Sequence, residues 1–298
     1  MRLSNLDKIY WPDEGFTKGD LLTYYFNITP VMLPHLIDRP LTLKRMPNGV
    51  KGEFFYEKNA PSHTPEWLPT IPVRSEDRVI NFLSVSDVAD ILYVANLGCI
   101  EFHPLHTKSH DQEHPTYAFF DLDPFEPATF DDVKHVAALV KVALDQLDLA
   151  CYPKTSGATG MQIMVPLDGT VTYSWVRGFV GAVSDLVHAA DPETTTLEWE
   201  IPKRAGKVFL DVNMNRQGAN IAGAYSVRPE PNGTVSAPFT WDELDDIDPG
   251  DFTMATMMKR VEQVGDPFLP VAEGPGQSIE AALNKLEATP RKAREFRR

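Results

Sequence analysis

Positive charge is scarce in this chain of 298 residues: 28 Lys and Arg stand against 42 Asp and Glu, a net charge of −14. That excludes a uniformly basic nucleic-acid-binding surface but not a local one. The potential in a cleft is set by charges within about a Debye length, ~10 Å, rather than by the total. Cysteine is almost absent. Cys99 and Cys151 are isolated, match no metal-binding spacing and have apolar neighbours, so they read as core thiols rather than a disulfide. No run reaches the roughly 18–20 consecutive apolar residues that span a bilayer, so no membrane partner is expected. The N-terminus, MRLSNLDKIYWPDEG, lacks both an apolar h-region and a small-residue cleavage site. A cytoplasmic protein is the resulting expectation. There is no internal repeat and no low-complexity segment.

What is present suffices for a core: 43% of residues are hydrophobic and 10% aromatic. Basic residues come in clusters, LKRMPNGVKG, PKRAGK and the tail RKAREFRR, whose net +4 leaves −18 on residues 1–290. Residues 18–37 have helix-like apolar spacing interrupted by Pro30 and Pro34. PLTLKRMP reads as a short strand. Residues 79–97 read as a strand followed by a helix that Ser86 or Asp87 could cap. CIEFHPL alternates as a half-buried strand does, and TYAFFDLDP enters the core. TFDDVKHVAALVKVALDQLDL is the clearest helix, with Val133, Ala137, Val140 and Leu144 at helical spacing. ACYPKTSGATGMQIMVPL is strand, glycine turn, strand; YSWVRGFVGAVSDLVHAAD is a helix and GKVFLDVNMN a strand. The alternation indicates an α/β fold with a mixed sheet. Residues 1–270 read as one compact domain, and 271–298 as a linker and basic tail with a docked helix and a mobile end.

The segment YAFFDLDPFEP places Asp121 and Asp123 on one face of a strand, their Cα atoms roughly 6.5–7 Å apart at ~3.3 Å per residue. Two like charges that close, and partly buried, need neutralising. A divalent cation is one neutraliser, and hard oxygen ligands suit Mg²⁺ or Mn²⁺. A capped strand end, with aspartates accepting turn N–H groups, is the other reading. Asp211 also follows an apolar strand, GKVFLD, though it could equally be a turn residue. Three strand-end carboxylates converging on one face would hold two metals roughly 3.5–4 Å apart for nucleotidyl transfer. In KTSGATG, small residues let the backbone approach a ligand, and exposed N–H groups with Ser156 can cradle phosphate oxygens. It is not a P-loop, since no Gly-Lys-Ser/Thr follows, and a plain hairpin would also explain it.

In this order, DLDP, KTSGATGMQIMVPL, RAGKVFLDVNMN, GAYSVRP and VSAPFTWDEL resemble the polymerase domain of bacterial DNA ligase D. That domain is an archaeo-eukaryotic primase-type polymerase of non-homologous end joining. LSNLDKIYWP, FTKGDLLTYY, RPLTLKRMPNGV, FFYEKN and IEFHP extend the resemblance over roughly residues 1–265. It implies a mixed-sheet primase-polymerase core with an N-terminal α/β portion packed on it. The remaining length has no room for a ligase or nuclease module, so a stand-alone polymerase or an excised domain is expected.

The resemblance makes Asp121, Asp123 and Asp211 a catalytic, metal-binding triad for two Mn²⁺ or Mg²⁺ ions. It sets His103, Ser156, Gly157, Thr159, Gln162, Arg204 and Arg228 around an incoming NTP or dNTP, ribonucleotides being preferred. Guanidinium forks suit phosphate oxygens. Lys8 and Lys18, with Lys44 on the same basic surface, would grip the downstream 5′-phosphate of gapped or overhanging double-stranded DNA. Phe55 and Tyr56 would stack on template bases, which is indifferent to sequence. A DNA ligase and a Ku-type end-binding protein are the implied partners. Two departures stand out: Thr159 replaces a lysine and Gln162 a histidine of the pattern Ser-Gly-x-Lys-Gly-x-His. Met214 also replaces a common Gln, while Asn215 remains. A de novo primase would share every motif; a two-metal phosphodiesterase and a non-catalytic end-bridging module are the other readings.

Overall fold

The computed structural model describes residues 2–74 and 78–292; the mobile end expected of the tail lies outside them. From the N-terminus, β1 (Ile9–Trp11) and β2 (Phe16–Thr17) form a small hairpin that leads into helix α1 (Lys18–Leu36). Thr17 caps α1 reciprocally with Asp20. Contrary to expectation, α1 runs on through Pro30 and Pro34. Its face of Leu21, Leu22, Tyr25, Ile28, Met32 and Leu36 is wholly buried, and that packing overrides the lost amide donors.

Five strands follow, β3 (Leu41–Arg45), β4 (Phe55–Glu57), β5 (Thr70–Arg74), β6 (Val79–Leu83) and β7 (Cys99–Pro104), with α2 (Val88–Asn96) between the last two. They form one antiparallel sheet, ordered β4-β3-β6-β5, with β7 also paired to β3. Asp87, not Ser86, caps α2, in a reciprocal box with Asp90. All six residues of β7 are buried, so it is not the half-buried strand its alternation suggests. Ile100 and Phe102 enter the core; Glu101 and His103 face a polar interior described below.

The second sheet is built from β8 (Tyr117–Pro124), β9 (Tyr152–Thr155), β10 (Met161–Pro166), β11 (Thr195–Thr196) and β12 (Val208–Leu210), in the order β11-β12-β8-β10-β9. Only β11 and β12 run parallel, which makes the sheet mixed. Helices α3 (Phe130–Asp145) and α4 (Tyr173–Ala190) cover one face, receiving Ala118, Phe120 and Leu122 of β8. Phe120 meets Phe179 of α4 edge-on, with ring centroids 6.2 Å apart. Residues of odd number on β8 therefore point to the other face, and its last two, Asp121 and Asp123, form the site.

The chain closes with α5 (Met257–Val264), α6 (Leu269–Ala272) and α7 (Glu280–Lys285). The stretch 271–280, expected to be a linker, lies against the sheet. Gln277 bridges to Leu167 and donates to Ala150 O and Pro166 O. Gly276 comes so near that a Cβ there would sit 2.2 Å from Leu167 O. Both cysteines are free and buried. Among the described residues no helix is long and apolar enough to cross a membrane.

Candidate active site

Strand register assembles the carboxylates. Leu122 pairs with Leu210 and Asp123 with Phe209, which sets Asp211 opposite Asp121, where its N–H donates to Asp121 O at 3.0 Å. Cross-strand partners share a face, so Asp121, Asp123 and Asp211 project to one side. Asp121 feels both of the others, and Asp123 feels Asp211. Burial, then Asp123, then Asp211 push the Asp121 carboxyl well above the usual range, against the Gln162 hydrogen bond. Burial and Asp211 raise Asp123 to about 6 despite Arg204 and Arg228, and burial raises Asp211. Asp211 Oδ1 meanwhile accepts the N–H of Asn213 at 2.9 Å.

The donor set fits a hard divalent cation in kind: three oxygen ligands, and excess negative charge that a cation would relieve. It is not a preformed cage. Among the described residues no three His, Cys, Asp or Glu side chains already stand as a cation site.

Across β10 the same face continues as Gln162 and Lys154, in register with Asp121. Gln162 Nε2 donates to Asp121 Oδ1 at 2.9 Å, while its Oε1 accepts from Lys154 Nζ at 2.5 Å. Lys154 is fully buried and also donates to Ser236 Oγ at 2.6 Å. Burial and the nearby Arg228 charge bring its ammonium down to about 7, opposed by Asp121. Thus the Gln at 162 has a fixed orientation: the lysine takes its carbonyl, so its amide must face the carboxylate.

The glycine turn between β9 and β10 is closed on itself. The N–H groups of Ala158 and Gly160 donate to Ser156 Oγ at 3.1 and 3.0 Å, so they are not aimed outward as a phosphate cradle would need. Having accepted twice, the Ser156 hydroxyl keeps its proton to donate. Gly157 has φ +73°, and a Cβ there would meet Arg228 Cγ at 2.7 Å. Thr159 is exposed at the tip. Gly160 packs on the carboxylate edge, where a Cβ would sit 2.3 Å from Leu122 O and 3.3 Å from Asp123 Oδ1. Gly160→Ala is therefore expected to push the turn off Asp123 and cost about 1–3 kcal/mol, which chemical denaturation would measure.

The two arginines flank Asp123 from opposite sides. Arg228 donates to Ser156 O on the turn side. Arg204, on the β12 side, donates to Glu198 O and Trp199 O and stacks on Phe209 with its guanidinium carbon 3.6 Å from the ring centroid. Phe125 and Trp199 complete that aromatic enclosure.

His103 reaches the site through a residue that sequence reasoning passed over. Glu101, on the same face of β7 as His103, is buried and takes three nitrogen partners, two of them cationic. Lys44 Nζ lies 2.5 Å from Oε1, His103 Nε2 2.8 Å from Oε2, and Arg228 Nε 3.2 Å from Oε2, though not aligned as a hydrogen bond. Burial opposes its charge, but His103, Arg228 and Lys44 together hold its carboxyl down to about 2. For His103, burial outweighs the glutamate and lowers its pKa. Glu101 thus ties the first sheet to the glycine turn of the second. Its only sequence signal is the alternation in IEFHP.

Phe55 and Tyr56 are exposed, beside the equally exposed Phe54. Tyr56 stands edge-on to His103 at 5.8 Å, and Lys44 and Arg45 lie over Phe54 and Phe55, each 5.1 Å from the centroid. Lys8 and Lys18 meet at a separate cavity of about 290 Å³. Lys8 donates to Pro47 O and Asn48 Oδ1, and Lys18 to Ser4 O and both oxygens of Asn96. Among the described residues, the acceptors that these ammonium groups meet there are uncharged. Burial, with Lys8 adding, lowers the pKa of Lys18. Lys44 is not in that cavity, since Glu101 holds it elsewhere; Arg45 lines it instead. Asn215 has a backbone-supporting part, pairing both its amide atoms with the peptide of Phe119 as a missing strand residue would.

A family model described as LigD, primase-polymerase domain, matches residues 17–268. The multifunctional non-homologous end joining protein LigD of Mycolicibacterium smegmatis is 33% identical over 273 residues, 91% of this chain and 36% of its own length. The bifunctional non-homologous end joining protein LigD of Bacillus subtilis is 30% identical over 291 residues, 96% of this chain and 47% of its own. This chain therefore spans less than half the length of either. Among solved structures, the polymerase domain from Mycobacterium tuberculosis ligase D in complex with DNA matches with a TM-score of 0.86 at 30% identity. That match covers 91% of this chain and 98% of that one.

Proposed function

Since the chain belongs to the LigD primase-polymerase domain family, we propose that it adds nucleotides to a primer 3′-hydroxyl under template direction, filling gaps and extending ends during non-homologous end joining. The observation that carries this reading is the row Lys154–Gln162–Asp121–Asp211, with Asp123 beside it, facing a turn held by Arg228. Residues 1–270 act as the catalytic unit.

Asp121, Asp123 and Asp211 would hold two Mn²⁺ or Mg²⁺ ions, which would lower the pKa of the attacking hydroxyl and neutralise charge on the departing pyrophosphate. The protein supplies positioning. Gln162 fixes the Asp121 rotamer, and Lys154 fixes Gln162. Arg228 and the Ser156 hydroxyl meet the triphosphate of an incoming nucleotide, with ribonucleotides preferred, and His103 lies behind them. Phe55 and Tyr56 offer exposed rings to template bases. The Lys8–Lys18 cavity takes a downstream 5′-phosphate, whose oxygens can replace the carbonyls those lysines now contact. A ligase and a Ku-type protein would deliver the ends.

The test is primer extension on blunt, overhanging and gapped duplexes, with and without the downstream 5′-phosphate, comparing ribo- with deoxyribonucleotides. Metal-dependent, templated extension favouring the phosphorylated gap is expected. Synthesis on single-stranded template without a primer would move the assignment to a primase, and no incorporation on any substrate would end it.

A further inference from the structure

A second group of cations lies on the β12 flank of the carboxylates, away from the glycine turn. A cavity of about 270 Å³ borders Asp211 and Trp199 and is lined by Arg177, Arg291 and Lys292. A neighbouring space of about 430 Å³ is lined by Arg177 and Arg216, so Arg177 stands between the two. Arg177 donates to two backbone carbonyls, Arg291 O at 2.8 Å and Asn215 O at 3.3 Å. Burial and the Arg216 charge lower its pKa, a sign of like charges held together. Arg216 in turn stabilises the charged form of Asp211. The carboxylates on this flank offset the four cations only in part: Asp185 pairs with Arg291, Asp211 borders the inner cavity and Glu113 the outer one.

The segment that brings Arg291 and Lys292 here is seated, not loose. It crosses α4 where the helix has no side chains: a Cβ on Gly178 would sit 2.2 Å from Thr289 O, and one on Gly181 2.3 Å from Arg291 Nη1. Arg291 N donates to Ser174 O at 2.9 Å. Residues 289–292 lie beyond the part of the chain that the family model matches.

Nucleotidyl transfer brings two polyanions to one set of carboxylates. Screening limits each cationic group to about 10 Å, so each polyanion needs its own counter-charge. Arg228 and the glycine turn serve the β10 side. The β12 side, about 10 Å away across three strands, is left for the other substrate. We propose that Arg177, Arg216, Arg291 and Lys292 form a clamp on the phosphodiester backbone of the strand being extended, set in place by the segment 289–292 in the glycine groove of α4. This rests on the polymerase reading above.

The test pairs Arg291→Gln/Lys292→Gln, which removes two charges, with Gly181→Ala, which unseats the segment and leaves every charge. Binding of a fluorescent primer–template is measured against salt, alongside steady-state extension. Both variants are expected to bind the primer–template about tenfold more weakly at ~0.15 M salt. The plot of log affinity against log salt should flatten by about 1 for each phosphate that is no longer neutralised. The loss should fall on the KM for primer–template and not on that for the nucleoside triphosphate. Variants that melt as the parent does and keep its affinity and salt slope would overturn the clamp, as would a loss confined to the triphosphate KM. A parent chain that binds the duplex through this segment yet never extends it would count against the polymerase reading alone.

Discussion

Changing both Asp121 and Asp123 to asparagine is expected to lower incorporation by at least about 10³-fold, a barrier increase of ~4 kcal/mol, while making the metal-free protein harder to melt. The two effects have one cause. Both carboxylates are forced upward in pKa, Asp121 by burial and by Asp123, Asp123 by burial and by Asp211, so as anions they oppose folding in the absence of a cation. An asparagine keeps the shape, removes the repulsion and lets Gln162 and the strand ends stay as they are. Adding Mn²⁺ or Mg²⁺ should stabilise the parent, by about 2.7 kcal/mol at 100 times the dissociation constant, and leave the double variant where it was. Differential scanning calorimetry with and without the ion checks this independently of activity. A metal-free variant that melts below the parent would show that these side chains serve the fold and not a cation.

How much of this site is legible in the sequence depends on the range of the interaction. The Asp-x-Asp spacing places two carboxylates on one face because alternation is a property of every strand, and the caps Thr17 and Asp87 are equally local. Asp211 is another matter. Its place opposite Asp121 follows from β12 pairing antiparallel to β8 in one register, and a chain read locally contains no such information. Hence only a motif resemblance joins it to the pair. The misread segments share a cause. Pro30 and Pro34 are helix breakers by propensity, yet α1 buries so much apolar surface that it continues. The Gly- and Pro-rich stretch 271–280 has the composition of a linker, yet Gly276 is there to let two backbones touch. Glu101 is invisible for the opposite reason. Its own neighbours look ordinary, and its meaning comes from Lys44 on the adjacent strand and from Arg228, more than a hundred residues away in sequence.

Glu101 leads to the other large effect. Glu101→Gln should destabilise the protein by about 3–5 kcal/mol, the usual cost of removing one partner of a buried ion pair and stranding the rest. Lys44 and Arg228 would be left beside a neutral amide, and His103 would lose the carboxylate that opposes the effect of its burial. The pH dependence carries a definite sign. The folded carboxyl titrates at about 2 against a usual 4.5, so the stability it contributes is fully present above about pH 5. It is lost as the pH falls from there to about 2; the Gln variant should lack that part of the acid-unfolding curve. The stranded cations also make a statement about ligand. If Arg228 meets a triphosphate, that anion can supply the charge Glu101 no longer gives. Nucleoside triphosphate or pyrophosphate should then raise the melting temperature of the variant more than that of the parent. An equal or smaller shift in the variant would mean that the cations around Glu101 do not face the triphosphate, and that the glutamate only fastens the two sheets together.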